Sequence, residues 1–327
     1  MFNRGRPARN KNFLNKPNLI IIIMKKKRIL FICTGNVFRS MSAEYALKKY
    51  LTDNAISGWH ISSAGIIAIK ESIDQKILNV LKELGIKSIN HKQKKLTGKM
   101  LNGYDVIIAM AENHKHFIKS KFNHKTVFLF NELAINKKES VWDIEDEVKD
   151  YLTNRKAIEN KIERTIKYIF NKTPALFKNI SERYFLFSEF VNGSKKHRNG
   201  FPFIELYGTK NTVAFMSIDI PEKEDGHILV IPKKRYEDIS EIPKIVLNEL
   251  IQSIVKIGTS IKVNHGGYNI LLNNGIDAGQ YILHTHFHLI PRSYNDEIGM
   301  EIWKNKKISS SDFVKLNNLL KKQINKG

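Results

Sequence analysis

The sequence predicts two successive domains: an α/β domain with a parallel sheet, then an α+β domain with a mostly antiparallel sheet. Three observations carry this reading. The chain has 327 residues, too many for one ordinary core and about right for two. Its first half alternates short apolar runs with helical stretches, the βα pattern of a parallel sheet covered by helices. Its second half clusters strand-like runs around one long helical stretch.

The elements follow in order. Ile29-Leu30-Phe31-Ile32 is a short buried-strand run, followed by a Gly-containing loop and a helical stretch over 42–50. Further apolar runs at 61–62, 105–110 and 126–130 are separated by helical patterns such as 73–84. An amphipathic helix over 148–170 ends before Lys172-Thr173-Pro174, where a linker over 173–178 is expected because proline cannot continue a helix freely. Strands over 213–218 and 227–231 come next, then a helix over 242–262 and strands over 268–272 and 282–290. No internal repeat is visible. The expected division is therefore 24–172 for the first domain and 179–327 for the second.

Residues 1–23 carry Arg4, Arg6, Arg9, Lys11 and Lys16 with no acid, then a short apolar run that ends at Met24, before Lys25-Lys26-Lys27-Arg28. That run is too short for a secretory core of about 7–15 residues or a span of about 20. We expect Met24 to be the start, with 1–23 a disordered tail or a mis-assigned start; a basic membrane-surface tail is the alternative, and no membrane partner is expected.

A hydrophobic content of 42% with scattered charge marks a globular chain. The net charge of +22 comes mostly from Lys, in a chain also crowded with Ile and Asn. We read it as a solvated surface rather than a nucleic-acid groove, one that also draws in anionic phosphate substrates. Cys33 is the sole cysteine, so no intrachain disulfide can form, and a reducing cytoplasm is the expected home.

The loop after the first strand reads Cys33-Thr34-Gly35-Asn36-Val37-Phe38-Arg39-Ser40. A cysteine ending a strand, five residues, then an arginine opening a helix make a phosphate cradle: backbone N–H groups point inward and the helix N-terminus adds positive potential. The same field stabilises a thiolate at Cys33. Arg39 can hold two phosphoryl oxygens through its planar fork, and Ser40 can donate to the sulfur. A lone cysteine at a strand end is ordinarily a packing residue; the arginine, the glycine and the strand-loop-helix context argue against that here.

This pattern resembles the low-molecular-weight protein tyrosine phosphatase family over about residues 25–170, together with Ser63-Ala64-Gly65, His91 ahead of Leu96-Thr97, and Asp105-Val106-Ile107-Ile108-Ala109-Met110. The resemblance implies a flavodoxin-like, doubly wound domain that hydrolyses phosphomonoesters on protein or small molecules, through attack by Cys33 and a phosphocysteine. Residues 34–38 of the loop (Thr34, Gly35, Asn36, Val37 and Phe38) would bind phosphate. The family's general acid comes late in the domain, where Val141-Trp142-Asp143-Ile144-Glu145-Asp146 stands; Asp146 is the expected acid and Asp143 the fallback. Glu147 then replaces the family's proline. Phe38 replaces a frequent second cysteine, which removes a disulfide across the site, and thiol-relay arsenate reduction needs more cysteines than one. The aromatic residues that often follow the acid are missing. Val37 is aliphatic where protein-arginine phosphatases have threonine.

His284-Thr285-His286-Phe287-His288 lies in a stretch with strand character, where alternation puts three histidines on one face. Core packing would need three sets of buried partners. Three His ligands suit zinc, and a nucleophilic histidine suits nucleotidyl transfer. Region 179–298 resembles the histidine-triad (HIT) family, which favours the last reading. Gly226-His227-Ile228-Leu229-Val230-Ile231-Pro232-Lys233 matches the family's second hallmark, and Asn273-Asn274-Gly275, Ala278-Gly279-Gln280 and Pro291-Arg292 also fit. The resemblance implies that His286 attacks the α-phosphate, His284 and His288 orient it and stabilise charge, and His227 supports them. It places Asn273, Gly279 and Gln280 at the nucleotide phosphates and Asp219 at the ribose. Tyr281 stands where smaller hydroxyl residues are common, and Arg235 replaces a frequent histidine. No protein-bound metal or cofactor is implied; a divalent cation enters only as a nucleotide counter-ion. HIT members often pair by joining their sheets, so a homodimer is an expectation.

Together these point to a bifunctional phosphate-ester enzyme. The rivals are a HIT enzyme with a non-catalytic phosphate-binding first domain, and a nucleic-acid binder acting through its lysines.

Overall fold

A computed structural model describes residues 26–69, 71–123, 126–148, 153–300, 304 and 306–325. The expected tail over 1–23, and Met24, lie outside the described residues. The chain divides into two compact units, Met1–Ser181 and Glu182–Gly327.

The first unit begins with β1 (Lys27–Cys33), α1 (Arg39–Asp53), β2 (Trp59–Gly65), α2 (Gln75–Glu83) and a short α3 (Gly98–Leu101). It continues through β3 (Val106–Ala109), α4 (Glu112–Phe122), β4 (Phe128–Leu129), α5 (Phe130–Ile135), α6 (Ile144–Glu147) and α7 (Arg155–Ile180). The four strands form a sheet in the order β2-β1-β3-β4, every pair parallel. Buried on both faces, β1 is apolar nearly throughout, as central parallel strands are. Leu30 and Ile32 point to the side holding Ala64, Ile107, Ala109, Ile118 and Leu129. Helices α1, α2 and α7 meet elsewhere, through Met41, Ile77, Val80, Ile162 and Ile166.

Two expectations change here. The run over 126–130 is a strand for only two residues, because Phe130 opens α5. The expected linker over 173–178 lies inside α7, which carries Pro174 in its interior. Proline removes the helical bond to the Phe170 carbonyl, yet buried Leu176 and Ile180 keep the next turns docked. Each such side chain contributes roughly 1.5–3 kcal/mol, of the order of proline's cost of about 3 kcal/mol. The unit boundary falls after Ser181 instead.

The second unit opens with a π-helical turn (Ser181–Phe185, spanning the boundary) and α8 (Leu186–Val191), which the sequence pattern did not suggest. A two-stranded ribbon, β5 (His197–Arg198) with β6 (Phe201–Pro202), precedes β7 (Glu205–Gly208), β8 (Thr212–Met216) and β9 (Ile228–Pro232). Then come α9 (Lys244–Ile261), β10 (Gly267–Leu272), β11 (Phe287–Arg292) and α10 (Ser310–Ile324). The sheet order is β10-β11-β9-β8-β7, wholly antiparallel. Period-two alternation sends Ala214 and Val230 toward α9, while Val213, Phe215, Leu229 and Ile231 meet α8. The sheet is thus covered on both faces. The expected strand over 282–290 starts only at Phe287.

Gly65, at the end of β2, lies against the loop that follows β1. A Cβ there would sit 2.5 Å from the Thr34 carbonyl oxygen and 2.9 Å from the Gly35 carbonyl carbon. Those are backbone atoms of a buried loop and cannot swing aside. Gly65→Ala is therefore expected to lower the stability of the first unit by about 1–3 kcal/mol, read as a fall in its urea midpoint; an unmoved midpoint would show that the loop yields.

Candidate functional site

In the first unit the strand-loop-helix segment closes on Cys33. The Asn36 backbone N–H donates to Cys33 Sγ at 3.3 Å, and Ser40 Oγ lies 2.9 Å from it. The Asn36 side-chain amide donates to Ser40 Oγ (3.1 Å) and Ser63 Oγ (2.8 Å). Because Ser40 already accepts from Asn36, its own hydrogen is left to point at the sulfur, where it stabilises negative charge. Asn36 adopts a left-handed backbone with φ of 60°, a conformation asparagine tolerates better than most residues. Its remaining groups are tied down: Oδ1 accepts from Lys94 N (3.0 Å) and its carbonyl from His91 Nε2 (2.7 Å). Ser63 in turn donates to buried Glu44 (2.5 Å).

Arg39 is 2% exposed. Its guanidinium donates to the Val141 carbonyl (2.9 Å), to Thr34 Oγ1 (3.4 Å) and to the Asp143 carboxylate. Of the two candidate acids, Asp146 is not the one that meets Arg39. Asp146 is exposed and accepts from the Asp143 backbone N–H at 2.9 Å, capping the short α6. Asp143, half-buried, is the carboxylate that reaches Arg39. Ile144 follows Asp143 in the chain, as Glu147 follows Asp146.

His114 is the residue the sequence reading missed. It is fully buried on α4, and its Nε2 lies 3.0 Å from Thr34 Oγ1. Burial, with Arg39 nearby, pushes its pKa down to about 3, so the ring is neutral. Its Nδ1 is buried without a partner, which favours the tautomer with the proton on Nε2, donating to Thr34, since a buried orphan N–H is rarer than an orphan acceptor. Thr34 and Arg39 are adjacent in the loop region, but His114 is remote in sequence; only topology joins them.

In the second unit His284 and His286 lie on the bend before β11, and His288 within it. They gather nonetheless. The His286 and His288 ring centres are 4.8 Å apart, His227 stacks on His288 at 5.0 Å, and Phe187 meets His284 (5.8 Å) and His286 (5.4 Å) edge-on. Backbone carbonyls decide the tautomers, since a carbonyl can only accept. His286 Nδ1 donates to the His284 carbonyl and His284 Nε2 to the Pro232 carbonyl, each at 2.7 Å. His227 Nδ1 donates to the Asp219 carbonyl (2.5 Å), so its Nε2 accepts from His288 Nδ1 (2.8 Å). This leaves the Nε2 lone pair of His286 available as a nucleophile. Burial lowers the pKa of all three triad histidines, to about 3 for His284 and His288.

Two expected contacts change. Gln280 is buried with both amide atoms committed: Oε1 accepts from Gly275 N (2.7 Å) and Nε2 donates to the Glu237 carbonyl (2.8 Å). It staples the loop rather than offering itself to phosphate. Asp219 has an exposed carboxylate, and the contact it brings to the cluster is its main-chain carbonyl. Asn273 is half-buried beside Gly279, whose φ of 85° ends the turn between them and Gln280. Arg235 stacks on Tyr184 and donates to Glu237 and the Leu283 carbonyl, and Tyr281 is exposed. Among the described residues no group of three or more His, Cys, Asp or Glu side chains is arranged to hold a metal ion. No helix among them is long and apolar enough to cross a membrane.

The family model for low molecular weight phosphotyrosine protein phosphatase matches residues 28–197, and that for the HIT domain matches 203–295. The chain belongs to the first family and carries a HIT domain. The first match runs past Ser181 into α8 and β5, beyond the compact unit. An uncharacterized HIT-like protein of Methanocaldococcus jannaschii is 38% identical over 112 residues, covering 34% of this chain and 81% of that one. The adenosine 5′-monophosphoramidase HNT1 of Candida albicans is 32% identical over 128 residues, 37% of this chain and 80% of its own. The crystal structure of a YwlE mutant from Bacillus subtilis is 24% identical and covers 48% of this chain and 100% of that one, at a TM-score of 0.42. The phosphatase and HIT domains are hydrolase domains, and their families are generally cofactor-independent.

The neutral histidines carry a pH consequence. His284 and His288 titrate near 3 when folded, against about 6.5 in an unfolded chain. Between those values the unfolded state binds more protons, so the second unit loses stability as pH falls from about 6.5 toward 3. His284→Gln replaces the titrating ring with an amide and is expected to shrink the drop in urea midpoint between pH 7.5 and pH 5. An identical drop in both proteins would show that His284 does not carry it.

Proposed function

We propose that this chain is a bifunctional phosphate-ester hydrolase, with a cysteine-dependent phosphomonoesterase in the first unit and a histidine-dependent nucleotidyl hydrolase in the second. The observation that carries the first half is the meeting of Asp143 with Arg39 beside the Cys33 loop. Cys33 attacks phosphorus, and the loop N–H groups of residues 34–38, with Arg39, hold the phosphoryl oxygens. When a phosphoryl oxygen takes the guanidinium, the Asp143 carboxyl is left next to the departing oxygen and protonates it as the sulfur–phosphorus bond forms. The same carboxylate then activates water to hydrolyse the phosphocysteine, returning the thiolate. Ser40 stabilises that thiolate as it leaves. Thr34 is held for this task by His114.

In the second unit His286 Nε2 attacks the α-phosphorus, the leaving group departs, and water hydrolyses the nucleotidyl-histidine. Its Nδ1–H, bonded to the His284 carbonyl, stabilises the charge that develops on the ring. His288 and His227 form a hydrogen-bonded pair against it. The likeness to an adenosine 5′-monophosphoramidase supports nucleoside phosphoramidates as substrates, with dinucleoside polyphosphates as the second class.

Cys33→Ser is expected to abolish hydrolysis of a small aryl phosphate. Asp143→Asn should slow esters with poor leaving groups by about 10²–10⁴-fold while affecting an activated aryl phosphate far less, since a general acid matters most where the leaving group needs its proton. Asp146→Asn should leave that ratio unchanged; the opposite pattern would reassign the acid.

His286→Ala should abolish cleavage of adenosine 5′-monophosphoramidate and leave aryl phosphate hydrolysis intact. Trapping an acid-labile adenylate on the parent chain checks the intermediate. An adduct of equal yield on the alanine variant would remove His286 from the role.

A further inference from the structure

The first unit holds a cleft of about 700 Å³ that is separate from the Cys33 loop. One wall is a stripe of α7 at helical spacing, from Lys161 through Arg164 and Tyr168 to Lys172; the other includes Asn131 and the segment Ser140–Trp142. Its volume falls in the range of small-molecule sites, about 300–1,000 Å³.

The charge of the lining is one-sided. Lys161, Arg164, Lys167 and Lys172 face a single acid, Glu147. Two of the cations are neutralised, Lys161 by Glu147 at 2.5 Å and Lys167 by Glu163 at 2.6 Å. Arg164 and Lys172 make no ion pair among the described residues, and Lys172 lies over the Tyr168 ring at 6.0 Å. Trp142 brings a half-exposed indole to the same cleft. A large aromatic left half in water beside two unneutralised cations suits a ligand with a flat ring at one end and an anion at the other.

We propose that this cleft binds a mononucleotide, with Arg164 and Lys172 as the partners of its phosphate and Trp142 as the partner of its base. The site lies next to the machinery without being part of it. Segment 140–142 lines the cleft, and the same segment gives its Val141 carbonyl to Arg39. Neither the Cys33 loop nor the histidine cluster contributes a lining residue, so the inference does not rest on either reaction.

The test is equilibrium dialysis of AMP against the full-length Cys33→Ser chain, which cannot turn over a phosphate ester by the cysteine route. On that background the pair Arg164→Gln and Lys172→Gln is expected to bind one equivalent of AMP fewer, with an unchanged far-UV spectrum. The Cys33 loop and the histidine cluster keep whatever AMP they hold, so they cancel in the difference. Trp142→Ala should weaken this equivalent of AMP at least tenfold and leave ribose 5-phosphate unaffected. Equal stoichiometry with and without Arg164 and Lys172 would overturn the site. Equal affinity of the site for ribose 5-phosphate and AMP, indifferent to Trp142, would overturn the nucleotide assignment and leave only an anion site.

Discussion

A guanidinium taken out of water must satisfy its donors inside the protein, and Arg39 is buried. That obligation fixes the geometry of the first unit's active region. The Val141 carbonyl and the Asp143 carboxylate answer it from one side, Thr34 from another. Segment 141–143 is thereby drawn to a helix that begins more than a hundred residues earlier in the chain. The Val141 backbone N–H in turn donates to the Met110 carbonyl at 2.7 Å, just past β3. Loop, arginine and acid are one hydrogen-bonded body rather than three neighbours.

The second unit meets the same obligation with imidazole rings. Imidazoles lose little by burial if each N–H finds an acceptor, and main-chain carbonyls of Asp219, Pro232 and His284 provide three. Main-chain acceptors hold position better than side chains do, because they cannot change rotamer. The sheet and its flanking loops therefore set which nitrogen of each ring is bare.

What the sequence displays depends on whether the relevant residues are neighbours in the chain. The Cys33-to-Ser40 loop and the three histidines are contiguous, so both clusters stand out in the sequence itself. The pairing of Arg39 with Asp143 was not, since Asp143 and Asp146 sit in the same acidic run and only the fold decides which turns inward. His114 gave no signal at all: a histidine in a Lys- and His-rich helix reads as surface until α4 is seen to bury it. Pro174 misled in the opposite sense, because local backbone chemistry argued for a break and the burial of Leu176 and Ile180 overrode it. The strand reading of 282–286 failed because the backbone N–H groups of Leu283 and Thr285 are taken by the carbonyls of Arg183 and Tyr236, not by a neighbouring strand. The histidines converge all the same. Gln280 shows the limit of pattern matching: its identity was expected, and its side chain serves the loop.

Cys33 is the one thiol in the chain. With Phe38 beside Arg39 there is no second thiol to exchange with or to close a disulfide. Modification by a thiol-specific reagent therefore has a single address, and its stoichiometry counts intact cradles directly. A thiol reagent addresses the first unit and finds no thiol in the second, so the two units can be told apart in one sample without changing a residue.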